Sequence, residues 1–321
     1  MNVEKGFVDV PVDPNLDLCS EIKKLKEEKN AVILAHYYTV GEIQDLADFV
    51  GDSLALARIA EKLDNDIIVM CGVHFMGETV KILCPEKKVL VPDMNAGCSL
   101  ADSCPADKFA EFVKLHPDHT VVSYVNTSAA VKAHTDIVVT SGNAMKVVSS
   151  LPADEKIIFG PDRNLGNYIN SQTGREMILW DGACHVHEQF SLEKILELKK
   201  QHPAAKVLVH PECPKPVRLV ADKLGSTAVL LEFAVSDDAD EFIVATESGI
   251  LHEMRRRCPS KTFIPAPPND STCGCNNCSF MKLNTLDKLY NTLRFELPEI
   301  SVDPEIIDAA RRPITRMLEL S

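Results

Sequence analysis

The segment "STCGCNNCSFM", residues 271–281, places Cys273, Cys275 and Cys278 within six positions. Thiols this dense suggest a metal site, a redox pair or a cysteine-rich loop. Three thiols at one place are not four, so a metal site would need ligands from elsewhere in the chain. Two candidates are Cys98 in "NAGCSL" and Cys184 in "GACHVH". Cys98 and Cys184 are 86 residues apart, and Cys184 and Cys278 are 94 apart.

Other polar residues recur at nearly the same steps. His36, Tyr124 and His210 follow one another at 88 and 86 residues. Two positions beyond each stand Tyr38, Asn126 and Glu212. The serines of "GDS", "TSG" and "GST" are Ser53, Ser141 and Ser226, at steps of 88 and 85, and Thr227 follows the last. A chain that repeats its chemistry three times reads as three copies of one structural unit.

The elements that would position these residues repeat too. Short β-branched runs alternate with helical patterns. "AVILAH" (31–36), "DIIVMC" (66–71) and "KKVLVP" read as strands, with "EIQDLADFV", "LALARIAEKL" and "FMGETVKIL" as helices between them. The order returns with strands at 120–125, 136–141, 156–160 and 176–180, and again at 206–210, 241–246 and 262–267. Continuous apolar strands separated by helices imply parallel sheets covered on both faces. The expected fold is α/β: three similar three-layer αβα domains with parallel sheets, which would be related by a pseudo-threefold axis if they face a common centre. Asp13 and Pro14 read as the cap and first-turn proline of an N-terminal helix. The expected boundaries are 1–29 for that helical segment, 30–104, 105–190 and 191–281 for the three domains, with 282–321 completing the first.

In open parallel sheets ligands bind beyond the carboxyl ends of the strands. Three units facing one axis would bring the strand-end residues and one cysteine each to a single pocket. Three thiolates can hold an iron–sulfur cluster that usually takes four, leaving one iron open. Each residue also has a plainer reading. A strand-end serine or Asn126 can simply cap a helix. His210 can be a satisfied core histidine, and Met76 fits helical core spacing. Glu212, between Pro211 and Cys213, fits no cap or helix face. Cys19 and Cys71 read as small buried hydrophobes. His116, His119, His134 and His202 sit in polar connections and are given no role.

Composition narrows the class. The net charge of −13 argues against nucleic acid or an anionic membrane as partner. No apolar run is long enough for a membrane helix, and the first residues lack a signal-peptide core, so a cytoplasmic location is expected. A cysteine-rich chain there points to metal or redox chemistry rather than a disulfide framework. "AHYYTVGE" stands where a dinucleotide-binding fold would carry G-x-G-x-x-G, which disfavours a nicotinamide dehydrogenase. A binding module with a structural zinc at "CGCNNC" stays open.

The motifs "AHYYTVGEIQDLADFVGDSLALA", "GVHFMGETVKIL", "NAGCSLADSCP", "YVNTSAAVKA", "GACHVH", "VLVHPECP", "GSTAV" and "CNNCSFMKLNTL" together resemble the quinolinate synthase A family, from about residue 30 to the C-terminus. The resemblance implies one [4Fe–4S] cluster per chain, held by Cys98, Cys184 and Cys278, with one iron open to substrate. It implies condensation of iminoaspartate with dihydroxyacetone phosphate to quinolinate, in NAD biosynthesis, with an aspartate oxidase or dehydrogenase supplying the first substrate. Substrate contacts would fall on His36, Ser53, Asn126, Ser141, His187, His210, Ser226 and Thr227. Acid–base work would fall on Tyr38, Tyr124 and Glu212. Cys273 and Cys275 would be spare thiols. Some family members have a C-x-x-C pair at this point that can form a disulfide. The C-x-C spacing here would close a strained ring, which puts such a switch in doubt.

Overall fold

The computed structural model describes residues 3–270 and 276–321. Cys273 and Cys275 lie outside the described residues. Strand β1 (Ala31–His36) is buried at every position, as a strand covered on both faces must be. With β2 (Phe49–Gly51), β3 (Ile67–Cys71) and β4 (Lys88–Leu90) it forms a parallel sheet in the order β2-β1-β3-β4. The next four strands are β5 (Thr120–Tyr124), β6 (Ile137–Val139), β7 (Ile157–Gly160) and β8 (Ile178–Leu179), in the order β6-β5-β7-β8. The last four, β9 (Lys206–Val209), β10 (Lys223–Leu224), β11 (Glu241–Ala245) and β12 (Thr262–Pro265), run β10-β9-β11-β12. The same topology occurs three times, with helices on both faces, so the chain has the expected fold of three similar α/β units.

One hydrogen-bonding device is common to all three. The N–H groups of Ile33, Val121 and Val207 donate to the carboxylates of Asp48, Asp136 and Asp222 at 2.8, 2.9 and 2.7 Å. Each aspartate returns its own N–H to the carbonyl of the same partner, at 2.9 Å in all three cases. Each stands immediately before the edge strand β2, β6 or β10 and pins its start against the first strand. The spacing of the aspartates, 88 and 86 residues, is that of the strand-end residues.

The edge strands depart from the sequence reading. "EIQDLADFV" is helical only over Gly41–Leu46, and Phe49–Gly51 is strand β2. Strand β10 is only two residues long and was not expected. Such short segments pair on one side alone, and tertiary pairing rather than local pattern creates them. The first helix is Leu18–Glu28, capped by Asp17, whose carboxylate accepts from Ser20 N–H. Asp13 and Pro14 belong to the turn before it. Cys19 is exposed on that helix, not buried, because it lies beside rather than within the packed stripe of Leu18, Ile22 and Leu25; Cys71 is buried as expected.

The C-terminal helices stitch the units together. Leu286–Phe295 packs on Leu18–Glu28 and adds Leu289 and Leu293 to the core around Ile33 and Val69. Pro304–Glu319 packs on helices His74–Leu83 and Ala129–Lys132 and on β6, so it straddles the first and second sheets. No helix among the described residues is long and apolar enough to cross a membrane.

If the aspartate device anchors the edge strands, Asp222→Ala should cost about 1–2 kcal/mol, the scale of a charge-assisted hydrogen bond with its partner left unmet. A urea-unfolding midpoint equal to that of the parent protein would show that β10 does not depend on it.

Candidate active site

The carboxyl ends of the three sheets face one central cavity of about 80 Å³. Space on that scale suits a small metabolite, not a polymer. His36, Tyr38 and Ser53 line it from the first unit, Tyr124, Asn126 and Ser141 from the second, and His210, Glu212 and Thr227 from the third. His187 and the thiols of Cys98, Cys184 and Cys278 complete the wall. Ser226 is the one expected site residue that does not line it. Its hydroxyl accepts from Val229 N–H and caps helix Thr227–Ser236. Thr227, the first residue of that helix, presents its hydroxyl to the cavity side. Ser53 likewise opens helix Ser53–Ala60, but Asp52 is the cap. Ser141 lies before a helix capped at Asn143.

The two strand-end histidines are set in the same way. Tyr38 N–H donates to His36 Nδ1 at 3.1 Å, and Glu212 N–H donates to His210 Nδ1 at 3.3 Å. A backbone donor at Nδ1 leaves the ring proton of a neutral imidazole on Nε2. Burial pushes both rings down to about 3, so both are neutral at pH 7. His210 Nε2 is 3.2 Å from Ser141 Oγ.

Glu212 is buried at the centre. Tyr124 O–H donates to its Oε1 at 2.5 Å, and His187 Nδ1 lies 3.1 Å from its Oε2. His210 Nδ1 is 3.7 Å from Oε1 and its ring stacks on His187 at 4.6 Å. Burial works to raise the Glu212 carboxyl, but these neighbours outweigh it and hold it low. Because His210 is itself kept neutral, His187 and the Tyr124 hydroxyl carry most of that lowering. Burial and the Glu212 charge push the Tyr124 hydroxyl well up, so it keeps its proton. Tyr38 O–H bridges Thr227 Oγ1 and Thr246 Oγ1, both at 2.7 Å, and burial raises it as well.

The thiols share a local design. Cys98 stands at the start of the turn Ser99–Asp102 without a formed side-chain cap, and the nearby Ala101 and Leu100 N–H groups act to lower its thiol. Cys184 stands likewise before His185–Glu188, where the His187 N–H acts in the same sense. Phe280 and Met281 N–H do the same for Cys278. Such amides favour a thiolate. Burial works the other way, with Cys98 up to about 12, so these sulfurs are protonated unless a metal takes the proton's place. Cys278 raises Cys98 and Cys98 raises Cys184, and all three line the same cavity. Donor type and convergence both fit an iron–sulfur group. A tighter set also exists: ligand atoms of Cys184, His187 and Glu212 lie within 4.8 Å of one another and could hold a single ion.

A family model described as Quinolinate synthetase A protein matches residues 20–319. The chain belongs to this family. It is 58% identical over 306 residues to the quinolinate synthase of Thermosynechococcus vestitus, covering 95% of this chain and 96% of the relative. It is 55% identical over 318 residues to that of a Synechococcus strain, covering 99% and 98%. The quinolinate synthase of Chloroherpeton thalassium is 56% identical over 306 residues, covering 95% of each chain.

Residues that the sequence reading passed over also reach the site. Thr246 holds both Tyr38 O–H and, at 2.9 Å, His187 Nε2. Glu247 lines the cavity. Extending the strand-end comparison from the first strand of each unit to the third would have picked out both positions.

The neutral histidines give a pH prediction. A ring held at about 3 when folded and near 6.5 when unfolded makes the unfolded chain bind more protons between those values, so stability falls as pH drops through 6.5. In His36→Asn, whose amide oxygen can still accept from Tyr38 N–H, the loss of stability between pH 7 and 5 should be smaller, by up to about 1.4 kcal/mol per pH unit. Melting curves of the two proteins falling in parallel over that range would refute the neutral assignment.

Proposed function

We propose that this chain is a quinolinate synthase. It condenses iminoaspartate with dihydroxyacetone phosphate and releases phosphate and two waters. The atoms balance without an oxidant, which suits a site whose own residues offer proton transfer and anion binding. The reading rests above all on one observation: three thiols, one beside each sheet, line the cavity that also holds buried Glu212. The names of the close relatives support it.

Cys98, Cys184 and Cys278 would hold a [4Fe–4S] cluster. When bound with three thiolates, such a cluster supplies a Lewis-acidic iron with a position open to substrate oxygen. The chain's own residues do the rest. Glu212, ionised and within reach of the cavity, takes a proton from substrate carbon. Tyr124 O–H steadies that carboxylate, and Tyr38 O–H, poised between two threonines, is a proton donor. The Nε2–H groups of His36 and His210, with Ser53, Asn126, Ser141 and Thr227, hold carboxylate and phosphate oxygens, and Ser226 supports Thr227 from the cap. Helix N-terminal amides at Ser53 and Thr227 add to this. The supplier of iminoaspartate would be an aspartate oxidase or dehydrogenase, and the reaction would run in the cytoplasm.

The cluster of Cys184, His187 and Glu212 supports a second reading, a single-ion site such as zinc. Metal and sulfide analysis of anaerobically purified protein separates the two. The first reading expects iron with sulfide, lost equally in Cys98→Ala, Cys184→Ala and Cys278→Ala. Zinc without sulfide, lost only in Cys184→Ala, would favour the second. In Glu212→Gln, quinolinate formation should fall about 10²-fold or more with iron retained. Near-parental turnover would remove Glu212 from the chemistry.

A further inference from the structure

The third strand of each sheet ends near the cavity, and the second residue beyond it occupies an equivalent place. These residues are Val73, Asp162 and Glu247, after β3, β7 and β11. In two of the three units the position is a carboxylate, and each is nearly inaccessible, at 0% for Asp162 and 1% for Glu247. Acids are almost never buried to this degree without a partner. Their partners are the backbones of two of the thiol residues. Asp162 Oδ2 accepts from Cys184 N–H at 3.0 Å, and Glu247 Oε1 accepts from Cys278 N–H at 3.0 Å.

Each carboxylate is itself fixed by its other bonds. Asp162 Oδ1 caps helix Arg163–Thr173 by accepting from Asn164 and Leu165 N–H, at 2.7 and 2.9 Å. Glu247 Oε2 accepts from Gly249 N–H at 2.6 Å, and its Oε1 also pairs with Lys282 Nζ at 2.9 Å. Lys282 Nζ donates in turn to the Tyr38 carbonyl at 2.7 Å. The chain before Cys278 is tied to the second unit, where Asn276 Nδ2 donates to the Val186 carbonyl at 3.1 Å. Cys278 thus stands on a segment fastened to all three units, with Glu247 at the fastening point.

We infer that Asp162 and Glu247 are positioning residues, equivalent by the internal repeat, that fix the backbones of Cys184 and Cys278 so that their sulfurs converge on one bound group. Neither needs to touch substrate. The first unit has Val73 at this place, so Cys98 is held by other means. The inference rests on the ligand assignment proposed above.

Hydrogen exchange on the full-length protein tests the anchors, with Asp162→Asn and Glu247→Gln. A carboxamide has one accepting oxygen and cannot serve both sets of donors. Exchange at the Cys184 amide should quicken about tenfold or more in Asp162→Asn and stay unchanged at Cys278. Glu247→Gln should show the reverse. Exchange in β1, β5 and β9 should not move in either, which separates loss of an anchor from general loosening. Iron release to a chelator from the loaded protein should quicken about 10- to 100-fold, the usual scale for outer-shell partners of a metal ligand. Unchanged exchange at the matching cysteine in both variants would overturn the inference. A parent protein that binds no iron would refute the proposed function instead, and the exchange measurement would still decide whether the anchors exist. If one variant does not fold, the other carries the test alone.

Discussion

A carboxylate taken out of water must be met by other groups, and Glu212 shows what that requirement builds. Its partners come from two units: Tyr124 at the end of β5, His187 beside Cys184, and His210 two residues before it. Leaving such a charge buried and unpaired costs several kcal/mol. The second and third units are therefore held in one relative placement by the groups that would do chemistry. His187 extends the link, since its Nδ1 also lies 3.1 Å from Cys184 Sγ and its Nε2 reaches Thr246. Thr246 in turn holds Tyr38 from the first unit. One chain of polar contacts crosses all three units at the cavity.

The same wall shows how a chain of charge −13 could hold the anionic substrates proposed for it. The donors facing the cavity are mostly neutral: imidazole Nε2–H, hydroxyl groups, a carboxamide and the starts of two helices. Neutral donors cost less to desolvate than ammonium or guanidinium groups. Lys282, a cation beside the site, is committed to Glu247 and to the Tyr38 carbonyl. The arrangement separates the groups that bind from those that fix the frame.

The internal repeat makes this division possible. Asp48, Asp136 and Asp222 keep one structural task in each unit, while the strand ends have diverged. The first-strand positions carry His36, Tyr124 and His210, and two residues on they carry Tyr38, Asn126 and Glu212. After the third strands stand Val73, Asp162 and Glu247. A common frame with different side chains at equivalent points gives a site that is asymmetric inside a nearly symmetric shell. Small substrates with unlike ends need that asymmetry.

Much of this is legible in the chain itself. Continuous apolar runs such as "AVILAH" and "KVLVH", alternating with helical patterns, read as strands covered on both sides, so parallel sheets follow from the pattern. The steps of 86 to 88 residues between strand-end polar groups locate the site on three units at once, because ligands gather where parallel strands end. Other features exist only in the fold. Two- and three-residue edge strands such as β10 and β2 have no local signature, since a neighbouring strand and an aspartate bonded to its backbone make them. Thr246, Asp162 and Glu247 stand at third-strand ends that the repeat could have marked, but nothing local says what they do. Their roles depend on which backbone N–H or side chain comes to rest against them, from residues 22 to more than 200 positions away. Nor does the sequence tell Ser226, spent on a helix cap, from Thr227 beside it. A hydroxyl's direction is set by the turn that carries it, and that turn is placed by packing.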